Sequence, residues 1–73
     1  MKQVKQAETE VARRMKVARQ KRKLSQQALA ELAGVDRKTI NRIENNHFSP
    51  NVETLVRVCS ALDVKVSAFL KGI

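Results

Sequence analysis

The chain has one cysteine, Cys59, one histidine, His47, one proline, Pro50, and no apolar run as long as a membrane span. Each scarcity removes a class of protein. A lone cysteine cannot close an internal disulfide, so a disulfide-stapled scaffold is excluded. His47 has no second histidine or cysteine at ligand spacing, so neither a metal nor any other cofactor is expected. A spanning helix needs about 18 consecutive apolar residues, and the opening residues 1–10 are polar, so no membrane partner and no leader are expected. Paired carboxylates, Ser/His/Asp or Cys/His sets and Gly-rich phosphate loops are missing, which argues against an enzyme and against His47 as a general base. The cytosol, in contact with the nucleoid, is the expected compartment.

Positive charge is what the sequence has in excess. Lys and Arg number 15 against 7 Asp and Glu in 73 residues, a net charge of +8. On so small a body this favours a polyanionic partner, nucleic acid or an anionic membrane, with acidic substrates a weaker third. The 42% hydrophobic and 30% charged residues fit a soluble globular domain. A chain of this length makes one domain that buries roughly 60% of its unfolded surface, leaving little room for an active-site cleft. Without staples it depends on efficient packing or oligomerisation. The charge is uneven: residues 1–24 carry nine basic side chains and two acidic ones, while residues 25–50 balance. The cluster Arg13, Arg14, Lys16, Arg19, Lys21, Arg22 and Lys23 reads equally as a solvated helix face or a polyanion-binding surface.

Apolar spacing then divides the chain into helices. Val11, Met15 and Ala18, with Val4 and Ala7 on the same stripe, predict a first helix ending near Lys23. Ser25 suits the N-cap of a second helix, Gln26–Ala33, which buries Leu29, Ala30 and Ala33 and is closed by Gly34. Asp36 is placed to cap a third, Arg37–Glu44, with Ile40 and Ile43 inward and Arg37, Lys38, Asn41 and Arg42 outward. Residues 45–50 read as a loop, and Asn51 caps a fourth helix through Val52, Leu55, Val58, Cys59 and Leu62 to Asp63. A short segment 64–70 follows, with Gly72 as a final C-cap. The alternation Val64-Lys65-Val66 is too short for a strand without a partner. Met15 and Cys59 read as core and Phe48 as a lid. The prediction is an all-α, five-helix fold, with residues 1–10 an arm or helix extension and residues 11–73 the domain.

Residues 26–45 carry the functional signal: two short helices joined by a tight turn, with Ala30 as the small contact and Gly34 as the turn. Leu29, Val35, Ile40 and Ile43 fall where such a pair buries apolar side chains. A generic basic hairpin is the bland alternative. The run LSQQALAELAGVDRKTINRIENN at residues 24–46 resembles the Cro/CI-type, or xenobiotic-response-element (XRE), repressor family, and SPNVETLVRVCSALDVKVSAFL resembles its closing helices. With residues 11–19 the resemblance covers nearly the whole chain. It implies a compact bundle of the lambda-repressor-like type, containing a helix-turn-helix, that binds operator DNA as a homodimer with the third helix in the major groove.

The same resemblance assigns roles. Arg37 and Lys38 stand in the first turn of the third helix, where side chains reach base edges and Arg pairs bidentately with guanine, and Thr39 and Arg42 continue that face. Asn41 also points outward, to phosphate or base. Ser25, Gln26 and Gln27 at the start of the second helix are phosphate contacts, with Gln26 bracing the third helix. Asn45, Asn46 and His47 are expected to grip the other strand through backbone amides. Arg19 and Glu44 form a structural ion pair, with the remaining Arg19 donors free for phosphate. Val66, Phe69, Leu70 and Ile73 form the dimer interface. Two positions depart from the pattern: Asn46 stands where relatives often have Gly, and Lys65 replaces the Ser or Thr that caps the last helix, which should fray unless a dimer holds it. The basic surplus before Ser25 exceeds what the resemblance requires.

The function expected is that of a sequence-specific transcriptional regulator, a repressor, presenting two third helices about 34 Å apart to a two-fold operator. Nothing after Ile73 reads as an effector-binding segment, so control is expected from concentration, from cooperative binding or from a protein partner such as a toxin or polymerase. Two rivals remain at this stage, an antitoxin-type module that masks a toxin and a basic surface for RNA or anionic lipid.

Overall fold

Five helices account for most of the computed structural model, which describes residues 4–73. They are α1 Val4–Lys21, α2 Gln26–Ala33, α3 Arg37–Glu44, α4 Val52–Ala61 and α5 Val66–Phe69. Among the described residues there is no strand. The expected arm lies outside the described residues at positions 1–3; from Val4 onward it is continuous with α1.

Helix α2 packs against both α3 and α4, α1 lies on α3, and α5 closes against α4. The side chains that the apolar spacing points inward meet at this crossing. Met15, Leu29, Ile40, Ile43, Val58, Cys59 and Leu62 are fully buried, with Ala30, Ala33 and Phe69 at their edge. Each large aliphatic side chain removed from water here contributes about 1.5–3 kcal/mol against chain entropy. Burial also pushes the Cys59 thiol up, which keeps it protonated as a small core residue. Phe48, in contrast, is 44% exposed and stands outside the buried core.

The first four helices end in the same way. A residue with positive φ follows each, at Lys23 (56°), Gly34 (72°), Asn46 (60°) and Asp63 (57°). The next amide reaches back over the last turn: Leu24 to Arg19, Val35 to Ala30, His47 to Arg42 and Val64 to Cys59. This is the Schellman closure, which satisfies carbonyls the helix leaves open. Gly34 and Asn46 suit it by residue type, while Lys23 and Asp63 do not. The first helix therefore ends at Lys21 rather than Lys23, and Asp63 is the turn residue beyond α4.

Helix starts divide differently. Ser25 Oγ accepts from the Ala28 amide at 3.0 Å and Asn51 Oδ1 from the Thr54 amide at 2.8 Å. Asp36 has the extended backbone of an N-cap, but its side chain makes no capping bond, contrary to expectation. Lys65 also lacks a side-chain cap. The end of α5 is nonetheless held within the chain, because Arg14 Nη1 on α1 donates to the Phe69 carbonyl at 2.9 Å and the Lys71 carbonyl at 2.6 Å.

Candidate nucleic-acid interface

Helix α3 is divided along its length. Ile40 and Ile43 enter the core, while Arg37, Lys38 and Arg42 stand exposed on the opposite side. Among the described residues none of these three cations has an ion pair or side-chain hydrogen bond. Thr39 is half-buried beside them in the first turn. The result is a short positive ridge with free donors.

Behind the ridge runs a chain of polar contacts. Arg19 on α1 donates to both oxygens of Glu44, Nε to Oε2 at 2.7 Å and Nη2 to Oε1 at 3.0 Å, and its Nη1 donates to the Leu24 carbonyl at 2.8 Å. The bond to Glu44 raises the Arg19 pKa above its ordinary value. All three guanidinium nitrogens are thus engaged internally, and the side chain is only 12% exposed. Gln26, at the start of α2, donates from Nε2 to Glu44 Oε1 at 3.1 Å. Its Oε1 accepts from Asn41 Nδ2 at 3.2 Å, and Asn41 Oδ1 in turn accepts from Asn45 Nδ2 at 3.1 Å. Both faces of the Gln26 amide are therefore oriented, and α3 is braced against α1 and α2 along one side. Asn41 belongs to this brace and is half-buried, rather than standing free on the outer face.

The N-terminus of α2 presents a second set of donors. Ser25 occupies the Ala28 amide, which leaves those of Gln26 and Gln27 without intrahelical partners, as first-turn amides are. Gln27 is exposed beside them. The loop after α3 differs from expectation. The backbone amides of Asn45, Asn46 and His47 donate to the carbonyls of Asn41, Ile43 and Arg42, at 3.0, 3.0 and 2.8 Å. Helix closure takes these amides, and what the loop offers outward is its exposed side chains. Asn46 is tied further: its Nδ2 donates to Thr9 Oγ1 on α1 at 2.9 Å.

At the far end, Phe69 is only 6% exposed and packs into the core, so it is not an open surface residue. Val66, Leu70 and Ile73 are half-buried around it. Val52 and Val56 of α4 and Val64 before α5 are exposed apolar side chains. Among the described residues no group of three His, Cys, Asp or Glu could hold a metal, and no helix is long and apolar enough to cross a membrane. Contacts that the sequence pattern did not announce include Gln26 with Asn41 and Glu44, Thr9 with Asn46, Arg22 with Asp63, and Arg14 with the C-terminal carbonyls. All join segments far apart in the chain, and only the bracing by Gln26 was foreshadowed.

Residues 9–69 match the helix-turn-helix family. The immunity repressor protein of Bacillus phage phi105 is 40% identical over 60 residues, which are 82% of this chain and 42% of that protein. The chain thus spans well under half of that relative's length. Among solved structures, a helix-turn-helix family transcriptional regulator from Vibrio cholerae superposes with a TM-score of 0.84 at 34% identity, over 89% of this chain and 36% of the other. The DNA-binding domain of the P22 c2 repressor superposes with a TM-score of 0.80 at 32% identity, over 85% of this chain and 82% of that one.

Proposed function

The chain belongs to the helix-turn-helix family of DNA-binding transcriptional regulators, in its Cro/CI or XRE-type branch, and from that premise we propose that it is a sequence-specific repressor. It binds a two-fold operator as a homodimer, with α3 in the major groove. The observation that carries this reading is the ridge of Arg37, Lys38 and Arg42, unpaired on the outside of a helix braced from behind. A free guanidinium gives up no partner within the protein on meeting a guanine edge, and its planar fork loses less entropy per hydrogen bond than a flexible ammonium does. Arg37 and Lys38 enter the groove first, and Thr39 and Arg42 read the next base pairs.

Phosphate contacts flank the ridge. The amides of Gln26 and Gln27 take one strand with the Ser25 hydroxyl, and the Gln26 side chain adds its remaining N–H. On the other strand the side chains of Asn45 and His47 serve, with Asn46 and Asn41 holding the loop in place. Arg19 acts through Glu44 to fix α3 and keeps two N–H bonds for a nearby phosphate. The dimer forms through Val66, Leu70 and Ile73 with Phe69 as their support, spacing the two α3 helices about 34 Å apart. The phi105 immunity repressor and the P22 c2 DNA-binding domain are in keeping with a repressor role.

The test is selection of bound duplexes from a random DNA pool at about 0.15 M salt, where distant surface charges are screened. An enriched motif with two-fold symmetry is expected. A pool that stays random after repeated rounds overturns sequence-specific binding, and a motif without a second half-site overturns the dimer.

A further inference from the structure

The brace behind α3 accounts for Arg19, and Glu10 binds Arg13 and Arg14. Arg22 lies 3.5 Å from Asp63. Among the described residues of α1, Lys5, Lys16 and Lys21 are exposed and have no such acidic partner, and the first two share a face. Their positions are related. Lys5, Thr9, Lys16 and Gln20 recur at offsets of 4, 11 and 15 residues, which at 3.6 residues per turn places them along one edge of the helix.

That edge is located by a bond. Thr9 Oγ1 donates to the Lys5 carbonyl at 3.0 Å and accepts from Asn46 at 2.9 Å, so the edge passes directly beside the loop that ends α3. Lys5 stands one turn toward the N-terminus from this contact and Lys16 two turns toward the C-terminus. The two acidic residues of the helix border the edge, Glu8 three residues from Lys5 and Glu10 in one shallow depression with Lys5 and Thr9. Glu8 lines an apolar groove with Val4, Val11, Pro50 and Ile73, and Glu10 is paired with Arg13, next to the edge, and with Arg14 on the other flank. A cationic edge whose neighbouring Glu10 is already paired with arginines, continuing from the end of the proposed reading helix, meets whatever polyanion runs past that end.

We infer that Lys5 and Lys16 form a phosphate track for the DNA backbone outside the bases read by α3, with the Thr9–Asn46 bond holding the track in register with the reading helix. The inference rests on the DNA-binding reading above and extends it to the flanking duplex. Its contribution is electrostatic and indifferent to sequence: two lysines on phosphates add about 0.9 each to the slope of log affinity against log salt.

The experiment measures binding of the full chain to a duplex between 50 and 200 mM salt for the unmodified protein, the double variant Lys5→Gln, Lys16→Gln, and the control Lys71→Gln. Lys71 sits at the Arg14 clamp, on the other flank of α1. The double variant should lower the slope by about 1.8 and keep the same preferred motif, while the control leaves the slope unchanged. Phosphate ethylation interference should lose its outermost contacts in the double variant only. Equal slopes for the unmodified protein and double variant overturn the track, and so does an equal fall in the control. Because the slope is measurable on any duplex, it reports on the track even where no motif is selected; absence of a motif counts against the specific-repressor reading instead. Unchanged melting temperatures verify that both variants fold.

Discussion

Arg19 and Glu44 meet between α1 and α3 as a bidentate pair whose side chains are 12% and 2% exposed. Glu44 also accepts from Gln26, so its carboxylate is almost entirely supplied by donors from other helices. Breaking a buried pair from one side leaves a charge without compensation, and the loss is about 3 kcal/mol. Arg19→Ala should therefore lower Tm by on the order of 15 °C for a domain of this size, as followed by circular dichroism. It should weaken DNA binding too, since α3 loses its brace. Replacing both residues with apolar ones of similar volume should recover most of the stability and little of the binding. A single variant that melts within a few degrees of the parent contradicts the role assigned to the pair.

Helix ends supply a prediction of opposite signs. Lys23 adopts φ +56° without the freedom of glycine, a conformation that costs an ordinary residue about 1–2 kcal/mol. Glycine's larger unfolded-state entropy offsets part of that relief, so Lys23→Gly should raise stability by about 0.5–1 kcal/mol in urea titrations. Gly34→Ala should lower it by about 1 kcal/mol. There φ is +72° and the new Cβ meets Arg57 Nη1 at 3.1 Å, a flexible tip that can swing away, so backbone strain dominates. A stabilising Gly34→Ala would show that the turn is not left-handed.

Acid should loosen the hold on the C-terminal segment. Hydrogen bonds from Arg13 and Arg14 hold the Glu10 carboxyl at about 2, well below its ordinary 4.5. A depressed carboxylate pKa stabilises the fold fully above the unfolded value, and the contribution fades as pH falls from about 4.5 toward 2. Nuclear magnetic resonance titration of the Glu10 carboxyl should show the low midpoint, and Arg14→Gln should move it toward its ordinary value. In the same pH range the Phe69 and Lys71 carbonyl environments should change together. A Glu10 midpoint near 4.5 in the parent protein contradicts the clamp.

How much of this was legible in the sequence follows the range of each interaction. Ser25, Gly34 and Asn51 act on their own helices, and their side-chain or backbone preferences mark those boundaries directly. Lys23 and Asp63 do the same work as Gly34 without the residue type that announces it, because the Schellman bonds and the packing of Leu24 enforce the turn. Asp36 shows the converse: the residue type suits a cap, yet the carboxylate makes none. Arg14 reaches carbonyls more than fifty positions away, and nothing in the local pattern separates it from its solvated neighbours. The same holds for Asn41, whose outward helical position concealed a partner on α2. The exposed cationic ridge of α3 was legible because exposure is what periodicity reports well. The brace behind it was only partly so, because it depends on which helices cross.

The central claim is that α3 reads bases through Arg37 and Arg42, and the most direct measurement compares affinity for the selected operator and for random duplex in the parent and in the double variant Arg37→Ala, Arg42→Ala. Each lost bidentate contact should remove about 1–3 kcal/mol of discrimination, so the variant's ratio of specific to random affinity should fall at least tenfold while Tm is unchanged. A variant that binds more weakly to both duplexes by the same factor, with its ratio intact, would mean that these arginines only meet phosphates and that the bases are read elsewhere.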